Sequence, residues 1–171
     1  MHQVAGTGGD TLRRTVYLII CVIVILLVLI AGYCMTHASI SALPNPGPIE
    51  ISLAMKTKDW YIARAARAEL PPQPANDADS ISKGEALFGM ECVSCHGQDG
   101  HTPTAIGRSM YPRVLDLGSA EVQDMSDREL FWIVKNGVRL SGMPGFARIN
   151  SDQEIWHLAH FVRSLGLKPK H

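Results

Sequence analysis

Cys92-Val93-Ser94-Cys95-His96 decides the reading of this 171-residue chain. Two thiols three positions apart, followed at once by an imidazole, form the pattern to which haem is covalently attached. The two sulfurs can add to the two vinyl groups of one porphyrin, and the next residue then lies under the iron as its proximal ligand. Cys92 and Cys95 are therefore expected to become thioethers, and His96 the axial base. A redox-active C-x-x-C pair and half of a zinc site are the competing uses of the spacing. A structural zinc site needs a second ligand pair, and the other cysteines, Cys21 and Cys34, lie inside an apolar run.

A second stretch points the same way. Ser141-Gly142-Met143-Pro144-Gly145-Phe146 sets one methionine in a Gly/Pro-rich loop. A Met thioether opposite His is the axial pair of electron-transferring cytochromes and raises the reduction potential. Met143 is the expected distal ligand, so the metal ligands read from the sequence are His96 and Met143. Most methionines only fill gaps in cores, but such a filler needs no loop of this kind, where glycine permits close backbone approach and Pro144 fixes the local φ. Met90 is too near the attachment motif to reach the opposite face of the ring. Met110 and Met125 lack the loop context.

The charge balance is even, with 16 Lys+Arg against 16 Asp+Glu. The two signs also balance after residue 79, so nothing global points to nucleic acid, and no nucleic-acid partner is expected. Residues 1–14 begin Gly-rich and polar, a composition that cannot bury a core, and read as a cytoplasmic tail. From Thr15 to Met35 there is no charged residue. About 20 apolar residues match the hydrocarbon thickness of a bilayer, so 15–35 is expected to be a transmembrane helix. Arg13 and Arg14 precede it and no Lys or Arg follows until Lys56, which puts the amino terminus in the cytoplasm and the rest outside. The competing reading, a cleaved secretory signal, calls for a shorter apolar region of about 7–15 residues and a small-x-small site. The stretch His37 to Ala42 offers only weak cleavage options.

Residues 36–79 read as a linker carrying one short helix. Pro44, Pro46 and Pro48, and later Pro71, Pro72 and Pro74, form semi-rigid brackets. Between them Ile51, Met55 and Ile62 can share one helical face with Ala65 and Ala66, while Lys58, Arg64 and Arg67 are expected to point elsewhere. This amphipathic helix could place Trp60 and Tyr61 at a headgroup interface or on a partner subunit, or could be a solvated spacer.

Residues 80–168 carry three helical patterns. Ile81 to Cys92 has Gly84 and Phe88 one turn apart and leads into the attachment motif. Ser126 with Glu129, and Ser151 with Glu154, are capping-box signatures that open the second and third helices. Asn136-Gly137 is the expected stop of one, and Gly166 the cap of the other. Phe88, Trp156 and Phe161 are expected to meet where the first and last helices cross. His101, His157 and His160 read as surface or core residues, with no constellation demanding acid/base catalysis.

These residues resemble the class I cytochrome c family, in which an amino-terminal helix enters C-x-x-C-H, a middle helix follows, a G-M-P loop brings the distal Met, and the last helix crosses the first. The resemblance implies an all-α fold for residues 80–168, with one covalently attached haem c held by Cys92, Cys95, His96 and Met143. It also implies a proline carbonyl receiving the proximal histidine's other N–H, for which Pro112 and Pro103 are the candidates.

The expectation is a single-pass, membrane-anchored monohaem electron carrier. Its haem domain faces the periplasm at a bacterial cytoplasmic membrane, and redox proteins serve as donor and acceptor. No catalytic residue is expected. The alternatives are the cytochrome subunit of a larger membrane oxidoreductase or terminal oxidase and, from another class, a haem enzyme or gas sensor.

Overall fold

A computed structural model describes residues 7–37 and 46–166. The start of the expected tail, the stretch 38–45 with Pro44 and most of the weak cleavage options, and residues 167–168 lie outside the described residues. The chain divides into two compact units, Met1–Leu43 and Pro44–His171. Among the described residues the structure is all helix and turn, with no strand, as expected.

The first unit holds helix α1, Thr7–His37. Its stretch Gly9–His37 is long enough to cross a bilayer, and within it an 18-residue window has a mean hydropathy of 3.2 and no buried residue. Such a helix has no core of its own to enter.

The second unit is built on two crossing helices, α3 (Ala78–Glu91) and α8 (Asp152–Leu165). Helix α3 begins three residues before Ile81, because the Asp77 carboxylate caps it by accepting from the Ser80 backbone N–H at 2.9 Å. Gly84 makes the crossing possible. A Cβ there would run into the backbone carbonyl of His157. Phe88 and Phe161 pack with their ring centroids 5.0 Å apart. Trp156 departs from the expectation: it stacks on Phe131 at 4.2 Å, so two aromatic pairs replace one cluster of three. Both belong to one continuous core with Leu130, Ile155, Leu158 and Leu165.

Between the crossing helices run α4 (Val93–His96), α5 (Ala105–Ser109), α6 (Ala120–Gln123) and α7 (Asp127–Asn136). Both capping boxes form, with Ser126 and Glu129 opening α7 and Ser151 and Glu154 opening α8. Gly137 ends α7 at φ +68°. Gly166 caps α8 without a left-handed turn, at φ −65°. The requirement for glycine there is spatial, because the Gln123 side chain occupies the place of a Cβ.

Helix α2, Pro48–Ala65, also packs in this unit. Ile62 and the following Ala66 are buried, and Tyr61 meets Trp132 edge-on at 5.8 Å. Ile51 is exposed. The segment after α2 is held at several points. Arg128 donates to the carbonyls of Ala66 (2.9 Å) and Ala68 (2.6 Å), and the Trp156 indole N–H donates to that of Pro71 (3.3 Å).

Gln73, itself exposed, ends a polar chain that runs into the core. Its Nε2 lies 3.0 Å from His160 Nε2, and Ser80 Oγ lies 2.7 Å from Nδ1 of both His157 and His160. An amide nitrogen can only donate. His160 Nε2 therefore accepts, its Nδ1–H donates to Ser80 Oγ, and the Ser80 hydroxyl donates to His157. The histidines are core residues as expected, bound into a network that ties the linker, α3 and α8 together. His101 is held by Asp116 at 2.8 Å.

Candidate functional site

One large cavity opens in the second unit. Counting its open mouth, the space amounts to about 1320 Å³. Its walls are almost entirely apolar, and Cys92, Cys95, His96 and Met143 all line it. Residues 47 positions apart in sequence are thus brought to one space by the crossing of α3 and α8 and by the loop after α7.

The attachment motif is shaped by short local bonds. Helix α3 ends at Glu91, and the single turn of α4 carries Cys95 and His96, whose backbone N–H groups both donate to the Cys92 carbonyl (3.1 and 2.9 Å). That turn directs both thiols and the imidazole into the cavity wall. Burial pushes the Cys92 thiol up to about 12, with the neighbouring Glu91 and Cys95 adding to the shift. Before any attachment Cys92 is therefore a thiol at neutral pH, protected from the thiolate chemistry of exposed cysteines.

His96 has its pKa lowered, first by burial and against an opposing pull from the backbone of Leu115. Its Nδ1 is buried and has no partner at hydrogen-bond geometry. No hydrogen bond from Nδ1 reaches Pro112 or Pro103, the two carbonyls that the resemblance offered. Pro112 lines the cavity through its apolar ring.

The methionine loop is a compact turn seated on the end of α7. Val138 N–H donates to the Met143 carbonyl (3.3 Å), Ser141 N–H to Val138 (3.1 Å), and Met143 N–H to Ser141 Oγ (3.2 Å). Gly137 and Gly145 permit the seating, since a Cβ on either would strike the opposing backbone. Met110 packs against Gly142 and lines the cavity, as do Met55 and Met125. Loop context separates Met143 from these three; cavity lining alone does not.

Helix α2 contributes residues to this wall that the sequence reading placed elsewhere. Met55, Lys58 and Ile62 all line the cavity. Lys58 does not point away with Arg64 and Arg67, because positions 55, 58 and 62 are spaced by three and four and so share one face. That spacing was the available signal. Beside the two loops, Gly97 and Phe146 are buried, whereas Ile106 is exposed.

Residues 79–162 match the sequence profile described as cytochrome c oxidase, cbb3-type, subunit III. Among solved structures, a chain of the Kuenenia stuttgartiensis reducing HAO-like protein complex is similar at 22% identity and a TM-score of 0.52. That match covers 57% of this chain and 49% of the other, so the chain spans about half the length of that relative. This stretch is a c-type cytochrome domain. Its cofactor is covalently attached haem c. Two further structures resemble the cytochrome domain. A c-type cytochrome named KustC0563 is 28% identical over 48% of this chain and 95% of its own, with a TM-score of 0.43. Cytochrome CL from the marine methylotrophic bacterium Methylophaga aminisulfidivorans is 21% identical over 74% and 71%, with a TM-score of 0.42.

The residues present fit such a group. An open apolar cavity, two thiols beside one turn and a half-buried imidazole on its wall are what a planar, largely apolar, iron-bearing cofactor calls for.

Proposed function

We propose that the chain is a membrane-tethered monohaem c-type cytochrome that passes single electrons between protein partners at the outer face of a bacterial cytoplasmic membrane. The observation that carries this reading is the convergence of Cys92, Cys95, His96 and Met143 on one apolar cavity. Cys92 and Cys95 would hold the cofactor through thioether bonds, and His96 and Met143 would ligate its iron. The bound haem supplies a one-electron couple. The rest of the work belongs to the chain: α4 orients the imidazole, the Ser141–Phe146 loop presents the thioether, and the apolar walls keep water from the ring. With His96 and Met143 both on the iron, no coordination site would be left for a substrate, and the protein would act as a carrier and not as a catalyst.

The tether is α1, whose length and apolarity favour a spanning role. Arg13 and Arg14 before it, with the next basic residue at Lys56, favour an outward-facing cytochrome domain. A reductive titration tests the carrier reading. One one-electron step, with no carbon monoxide binding to the reduced protein at neutral pH, supports it. Carbon monoxide binding would favour a haem enzyme or gas sensor instead.

A second reading, that the chain is the cytochrome subunit of a larger membrane oxidoreductase, is favoured by the oxidase subunit named in the matching profile. The exposed Ile49, Leu53 and Trp60 on α2 suit a contact with another subunit. Purification in mild detergent separates the two readings, because a stoichiometric catalytic subunit would accompany the complex.

A further inference from the structure

Helix α2 lies outside the stretch matched to the cytochrome family, residues 79–162, yet it forms one wall of the cavity. Its position is fixed. Ile62 is 4% exposed and Ala66 3%. Beyond it, Arg128, Trp156 and His160 bind the segment 66–73 to α7 and α8. Lys58 sits on this wall with its side chain only 18% exposed, and its Nζ lies 3.1 Å from the carboxylate of Asp59, which is itself 57% exposed. The other charged groups lining the cavity are Glu91 and Arg113, and Glu91 is engaged by the Asn150 side chain at 2.7 Å.

An ammonium on an otherwise apolar wall is costly unless an anion meets it. The exposed Asp59 carboxylate is a weak partner for this purpose. Haem is largely apolar, and its two carboxylates are its anionic part. We propose that α2 is the closing wall of the haem cavity and that Lys58 is a positioning residue that meets a haem carboxylate there. This rests on the cytochrome reading above and deepens it: a helix outside the family domain helps to set the redox equilibrium. A fixed positive charge beside the cofactor favours the ferrous state, which carries one positive charge fewer than the ferric.

The test uses the full-length holoprotein in detergent, comparing Lys58→Gln, Lys58→Arg and, on the exposed side of α2, Lys56→Gln. At a fixed applied potential Lys58→Gln should lower the ferrous-to-ferric ratio by roughly threefold to tenfold, and its shift should shrink at high salt. Lys58→Arg should restore the wild-type ratio, and Lys56→Gln should leave it unchanged. A Lys58→Gln protein with the same ratio as Lys56→Gln would overturn the proposal. Failure of the underlying cytochrome reading shows itself separately, as a wild-type chain that carries no haem through denaturing electrophoresis.

Discussion

Under the proposed ligation, Met143 is the residue on which the redox character depends most. Its thioether favours ferrous iron, and its loop is held by Ser141 and by the seating of Gly145 on the end of α7. Met143→Ala should abolish the weak near-infrared sulfur-to-iron charge-transfer band of the oxidised protein, lower the potential and admit exogenous ligands. If band and potential both survive, Met110, which packs on Gly142 in the same cavity, becomes the ligand to test. Gly84 carries the other single-residue requirement. Gly84→Ala forces a methyl group into the His157 carbonyl, where the obstruction is backbone and cannot swing aside. The expected cost is about 1–3 kcal/mol, typical of overpacking, measured as a lowered denaturant midpoint of the holoprotein. An unchanged midpoint would mean that α3 and α8 can separate freely.

Among the elements, α8 combines two kinds of stabilisation that pH can distinguish. At its start, hydrogen bonds from Ser151 hold the Glu154 carboxyl below its ordinary value, so the capping box is present at neutral pH and is lost as Glu154 protonates in acid. Ser151→Ala removes the cap, and typical N-cap losses are about 1 kcal/mol. In its middle, burial lowers the His160 pKa and His157 lowers it further, against opposing pulls from Asp127 and Asp77. The unfolded chain therefore takes up this proton at a higher pH than the folded one. Stability is intact above the ordinary imidazole value and falls as pH drops below about 6.5. His160→Gln can still accept from Gln73 and donate to Ser80 but does not titrate. Its urea midpoint should fall less between about pH 7 and pH 5 than that of the wild type. Identical pH profiles would remove His160 from the account. The same network explains why the Pro71–Pro74 bracket is a clamp as well as a spacer. Prolines announce local stiffness, but the partners that hold this segment, Arg128, Trp156 and His160, lie more than 50 residues further along.

For the whole molecule, what could be read in advance followed the range of the interactions. The C-V-S-C-H motif, both capping boxes, the Gly137 stop and the Gly84–Phe88–Phe161 crossing were legible because each depends on spacing within a turn or on a residue type with one structural use. The Trp156–Phe131 stack and the turning of Lys58 into the cavity were not, because each is decided by which surface a neighbouring element presents. The proposed tether makes a prediction at this scale. The chain should remain with membranes after alkaline carbonate washing, and an amino-terminal sequence starting near Ala42 would show a cleaved signal instead. The central claim, that one haem is bonded to Cys92 and Cys95, is tested most directly by the intact mass of the purified, fully denatured chain. The account predicts the mass of the polypeptide plus a single haem for the wild type, and of the polypeptide alone for the Cys92→Ser/Cys95→Ser protein. A wild type with no added haem, or a double variant that keeps one, would contradict it.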